Sequence, residues 1–213
     1  MSRRILEPIE RISEVLFGLV MVLTFTGSLS AAEAGRADIR AMLIGALGCN
    51  LAWGIIDAVM YLMSCLAEQG RDRLTLRALR GAPDRSKAQR IVADALPQVV
   101  ASVVQPGELE AVSERLRLLP EPSGGSRLGR QEWLGALAVF LWVFLSTFPV
   151  VIPFLFIQEA MRALRVSNAI ALGLLYLTGH ALGRITGHRP WIMGLSMVAV
   201  GAVLVAITIA LGG

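Results

Sequence analysis

This chain is short of charge. Only 17% of its 213 residues are Asp, Glu, Lys or Arg, against 55% hydrophobic residues. A soluble domain carries about 25% charged residues, which it needs to stay dissolved. Mean hydropathy is +0.64, so a freely soluble globular fold is excluded first. Aromatics are also scarce at 6%, which leaves Leu, Val, Ile, Ala and Gly as the apolar mass. That mixture suits lipid-facing helices whose contacts are made by small residues. Cysteine appears twice, as Cys49 and Cys65, both inside one apolar stretch, so no disulfide framework is indicated. His180 and His188 are the only histidines. No His/Cys/carboxylate constellation with catalytic spacing occurs and no phosphate loop is present, so an enzyme is not expected.

What is present are five apolar stretches, near 14–32, 41–66, 133–157, 167–184 and 190–211. Each approaches the roughly 20 residues that a helix needs to cross a bilayer. The expected fold is an all-α integral membrane protein of five transmembrane helices, with a helical cytosolic insert between spans 2 and 3. Its domains would be 1–66 (spans 1 and 2), 67–132 (insert and linker) and 133–213 (spans 3 to 5). The first stretch also admits a signal-peptide reading, with Arg3 and Arg4 ahead of it and Ala32-Glu33-Ala34 behind. Glu7, Glu10 and Glu14 oppose that reading, because a signal peptide opens on a basic segment.

Basic residues orient the spans. Sixteen of the twenty Lys and Arg fall on the side of the N-terminus, the insert and the 184–189 turn, and four on the other. The positive-inside rule then places the N-terminus and the insert in the cytosol and the C-terminus outside, with a bacterial inner membrane as the expected location. The pI near 9.8 is explained by this asymmetry, and no nucleic-acid partner is expected.

The insert reads as helical. Span 2 continues through Cys65–Leu79 to Gly81, a suitable residue after a helix end. Asp84 or Ser86 can cap a second helix with Ala88, Ile91, Val92, Ala95 and Leu96 at helical spacing. Pro97 interrupts it, and Val99, Val100, Val103 and Val104 extend an apolar face. Pro106-Gly107 breaks the chain. A third helix places Leu109, Val112, Leu116 and Leu119 on one side, and Pro120–Ser126 is a linker.

In this arrangement the sequence resembles the vacuolar iron transporter family. Span 3 has that family's Gly135-Ala136-Leu137 opening and paired prolines, Phe148-Pro149 and Ile152-Pro153-Phe154-Leu155. The last two spans match at Gly179, Gly183, Arg184, Thr186, Gly187, Pro190, Gly194, Met197, Gly201, Ala202 and Thr208. Span 1 is similar around Glu14 and Phe17-Gly18-Leu19. The resemblance implies a homodimeric, proton-coupled carrier of ferrous iron or manganese, with the ion path between subunits. The metal would be its substrate, with no permanently bound cofactor and the lipid bilayer as its surroundings. The competing expectation is a non-transporting membrane scaffold, or partner-binding protein, that keeps the family fold. Two departures favour it: Met21-Val22 stands where the family has Asp-Gly, and Gly54-Ile55-Ile56 where it has Gly-Glu-Tyr.

Asp57 is the leading candidate for chemistry. An acid deep in a span is costly, about 2.5–3.5 kcal/mol on insertion scales, and marks function by default. Asn50, Gly54, Asp57 and Tyr61 share one helical face, and Met60 lies beside them. Met21 and Glu14 on span 1 complete the expected path. Thioethers such as those of Met60 and Met21 suit late transition metals, although a methionine in a span is more often packing. In the insert, Glu68 and Asp72, and likewise Glu110 and Glu114, stand four apart and would repel unless a cation joined them. The resemblance implies metal collection there; the alternative is pairing with Arg71, Arg73, Arg115 and Arg117. Gly179 and Gly183, four apart, allow close helix approach, within one chain or between two.

Overall fold

The computed structural model describes residues 8–27, 36–120 and 128–210. All regular structure among them is helical: α1 (Pro8–Gly27), α2 (Arg36–Arg80), α3 (Arg85–Ala95), α4 (Gln98–Ala101), α5 (Pro106–Arg117), α6 (Arg130–Ser146), α7 (Phe148–Phe156), α8 (Ala160–Thr186) and α9 (Pro190–Ala210). The chain divides into two compact units, residues 1–61 with 130–213 and residues 62–129. The expected flank at Arg3 and Arg4, the 28–32 end of span 1 and most of the Pro120–Ser126 linker lie outside the described residues.

Among the described residues four helical stretches are long and apolar enough to cross a membrane: Ile39–Arg80, Arg130–Phe156, Ala160–Thr186 and Pro190–Ile207. The first expected span differs from these. Its helix begins at Pro8 rather than near residue 14, so Glu10, Arg11 and Glu14 fall within its first two turns. Its apolar residues nevertheless occupy the centre of the first unit, where α1 packs against α6, α7, α8 and α9. Leu19, Val22 and Leu23 are buried there with Ala46, Val150, Val151, Ala171 and Leu175.

Small residues set the spacing of this core. Along α8 the buried positions are Ala163, Ser167, Ala171, Leu175, Gly179 and Gly183, one every four residues. The stripe begins before the expected span. Residues 160–167, expected as a turn, are helical because Ala163 and Ser167 already have partners to pack against. Ala163 is buried with Met42 and Phe154. The Ser167 hydroxyl donates to the Val150 carbonyl at 2.7 Å. Gly187 ends α8 in the left-handed conformation (φ 74°), where glycine has no steric penalty, and Pro190 opens α9. The hairpin closes on glycines. A Cβ at Gly179 would lie 2.7 Å from the Met193 carbonyl oxygen, and one at Gly183 2.8 Å from the Pro190 Cα. The small-residue pair therefore serves a contact within the chain.

Between α6 and α7 the chain stays helical at Thr147 (φ −69°, ψ −35°). Pro149 and Pro153 follow, and neither has an N–H to return to the preceding turn, which weakens the ladder here.

The second unit is built as expected at its first joints. Gly81 follows α2, with its N–H donating to the Arg77 carbonyl at 3.0 Å. Asp84 caps α3 by accepting from the Lys87 N–H at 2.7 Å. Its core is Leu79, Ala88 and Val92, joined by Ile91, Leu96, Leu109 and Leu116. Two details differ from expectation. Pro106 opens α5 instead of breaking the chain, because a proline is tolerated in a first turn and the Gln105 N–H is taken by the Glu108 carboxylate at 2.9 Å. Ser113, rather than Val112 or Leu119, is the buried position between Leu109 and Leu116. Seven residues separate those leucines, two helical turns, and the position between them on that face is the fourth.

Candidate transport site

Facing residues align α1, α2 and α6 in the first unit. Tyr61 meets Gly135, Gly54 meets Phe140, and Gly18 meets Val143 and Ser146. Asn50 meets Gly18 and Thr147. As the number on α2 falls, those on α1 and α6 rise, so α2 runs antiparallel to both. The α2 residues that make this seam possible are Met42, Ala46, Asn50 and Gly54, buried at every fourth position.

Polar groups occur at two levels of the seam. The first holds Glu14 of α1 and Asp57 of α2. Glu14 precedes Phe17 by three residues and Asp57 follows Trp53 by four, so the Phe17–Trp53 contact of these antiparallel helices sets the two acids at one level. Asp57 is half-buried as a residue, but its Oδ2 is fully buried and has no hydrogen-bond partner among the described residues. Two carboxylates in such an environment repel, and a proton or a cation between them relieves the repulsion.

The second level lies about two turns away along α2. Asn50 is fully buried, and its Nδ2 donates to the Gly18 carbonyl at 3.1 Å and to the Thr147 hydroxyl in a short contact. Thr147 is fully buried as well. Between the two levels stand Phe17 and Trp53, edge to face at 5.4 Å, and the Phe140 ring against Gly54.

The structure therefore brings together four of the expected site residues. Glu14 and Asp57 share one level of the seam, Asn50 joins α1 to α2 about two turns away, and Tyr61 lies under Gly135, where a Cβ would overlap its ring. Met21 is half-buried on α1, whereas Met60 is 58% exposed on α2. The insert acids are not assembled. Glu68, Asp72 and Glu114 are exposed, while Glu110 pairs with Arg85 at 2.8 Å. Among the described residues no three His, Cys, Asp or Glu side chains are grouped to hold a metal ion. His180 lies beside Tyr176 with ring centroids 6.0 Å apart, and its Nδ1 is buried without a hydrogen-bond partner among the described residues. His188 is exposed.

Thr147 and the Gly18 carbonyl are the functional-looking groups that sequence reasoning passed over. Thr147 had a signal, a hydroxyl immediately ahead of two prolines in an apolar run. The Gly18 carbonyl had none, because a backbone acceptor is invisible until a donor faces it.

A comparison with characterised proteins gave no match. A sequence profile of the VIT family, by contrast, matches residues 84–213, the stretch from Asp84 through α9. The helices outside that stretch, α1 and α2, are the ones that carry Glu14, Asn50 and Asp57. The expected departures, Met21-Val22 and Gly54-Ile55-Ile56, lie on these helices as well. The match covers more than half of the chain, and this protein belongs to the VIT family, whose members are transporters.

Proposed function

We propose that this protein is a proton-coupled carrier of divalent metal ions, iron or manganese, and that Glu14 and Asp57 form its central acid pair. The observation that carries the proposal is the antiparallel seam of α1 and α2, where Asn50 meets Gly18 and Phe17 meets Trp53, which sets Glu14 and Asp57 at one level of the apolar unit. An acid at such depth must be paired, protonated or bound to a cation. Two acids in one field provide competing sites for protons and a divalent ion, the simplest basis for antiport. The pair stands in for the family's first- and second-span carboxylates. Asn50 and Tyr61 hold the helices that present it, with the Met60 and Met21 thioethers as further soft ligands.

The same reading takes α1 as a fifth span, supported by the burial of Leu19, Val22 and Leu23 among the other apolar helices. The N-terminus and the 67–132 insert then lie in the cytosol. The working form is a homodimer, which would cover the side of Asp57 that one chain leaves open. Purified protein in liposomes should accumulate ferrous iron or manganese faster with a pH gradient than without one. Asp57→Asn and Glu14→Gln should each remove the gradient-dependent component.

One observation favours a second reading, a membrane scaffold that retains the fold. The acids, His and Cys of the described residues form no group of three. On that reading liposomes show no flux, and Asp57→Ala lowers thermal stability instead.

A further inference from the structure

The Asn50 carboxamide can be oriented without ambiguity. Its Nδ2 donates to the Gly18 carbonyl at 3.1 Å, and a carbonyl oxygen only accepts. Rotating the amide would set Oδ1 against that oxygen, so the assignment of nitrogen and oxygen is fixed by the neighbour. The second acceptor of Nδ2 is the Thr147 hydroxyl. Oδ1 is engaged by neither. It is fully buried, in a residue with 0% exposure, and it has no hydrogen-bond partner among the described residues. Buried acceptors of this kind are rare in native proteins, and those without a protein donor are commonly met by an internal water. The hydroxyl of Thr147 beside it supplies a second polar contact for such a molecule.

We propose that Asn50 Oδ1 and the Thr147 hydroxyl bind an internal water molecule between α1, α2 and the α6–α7 junction. Asn50 and Asp57 are seven residues apart, about two turns of α2, so this water belongs to a distinct polar level. The site needs no transported ion to exist. On the carrier reading, it would also offer a cation its next oxygen ligands beyond Asp57, two turns along α2.

The test is water-edited solid-state NMR on the full-length protein in lipid bilayers. Magnetisation from water should reach the Asn50 carboxamide and the Thr147 side chain, and should not reach Val22 or Val143 on the same time scale. Asn50→Leu, which keeps the branched shape without polar atoms, should abolish the transfer to Thr147 while the α8–α9 signals stay in place. An Asn50 as dry as Val22 would overturn the proposal. So would transfer to Thr147 that persists in Asn50→Leu, since the water would then be held by something else. The readout involves no transport, so absent metal flux would sink the carrier reading and leave this site to be decided by the spectra alone.

Discussion

Adding one carbon at Gly18 should loosen the seam on which the site is built. An ideal Cβ there would lie 2.6 Å from the Val143 carbonyl oxygen and overlap the Ser146 hydroxyl, where ordinary contact begins at 3.4 Å. The hydroxyl can rotate away, at the cost of its 2.7 Å bond to the Val143 carbonyl. The backbone oxygen cannot, so α1 and α6 must separate by about 0.8 Å at this point. Overpacking of this kind typically costs about 1–3 kcal/mol. Asn50 donates both to the Gly18 carbonyl and to Thr147 at the α6–α7 junction, so parting α1 from α6 weakens one of these bonds, and an interhelical hydrogen bond in a membrane adds about 0.6 kcal/mol. Gly18→Ala should therefore destabilise the protein by about 1.5–3.5 kcal/mol, the sum of these two effects. Steric-trapping measurements in bicelles would read this directly. Adding Ser146→Ala should recover only a minor part, because the carbonyl clash remains. A Gly18→Ala variant as stable as wild type would refute the α1–α6 geometry, and with it the placement of Asn50.

Three further outcomes follow from other parts of the molecule. Gly183→Leu should separate α8 from α9 and lower thermal stability more than Gly173→Leu, since nothing lies within 4 Å of a Cβ at Gly173; equal effects would contradict the hairpin. In a variant lacking Cys49 and Cys65, a cysteine at Ser86 should be labelled only from the cytosolic side and one at Glu159 only from outside; labelling of position 86 from outside would overturn the topology. Titration of the full-length Asp57→Asn variant with ferrous iron or manganese should reveal no micromolar site, because the insert acids are scattered and Glu110 is already engaged by Arg85. A tight site lost on Glu110→Ala and Glu114→Ala would show that the insert does collect metal.

Much of the fold was legible because hydrophobic length and helix punctuation are local properties. Gly81, Asp84, Gly187 and Pro190 act through their own backbone conformation or a neighbour three residues away, and each ends or starts a helix where its chemistry indicates. The start of α8 was less legible. Ala163 and Ser167 are helical because α7 covers them, and that contact comes from a different stretch of chain. Pro106 was read as a break because a proline excludes helix interiors, but the same residue favours a first turn. The site was legible in part. Asp57 and Asn50 stand out as polar residues in an apolar run, and their shared face follows from spacing. That Glu14 comes to the level of Asp57 depends on the antiparallel register of α1 and α2. Small residues and ring contacts along the seam set that register, and no single stretch of sequence encodes it.

The central claim, that Glu14 and Asp57 carry a divalent ion in exchange for protons, meets its most direct test in one flux measurement. Wild-type protein and Asp57→Asn are reconstituted at equal density, and manganese uptake is followed with and without an imposed pH gradient. The account predicts gradient-driven uptake by wild type and uptake at the empty-liposome level by Asp57→Asn, with expression and dimer content unchanged. Wild-type uptake indistinguishable from empty liposomes across iron, manganese, cobalt and zinc would contradict it.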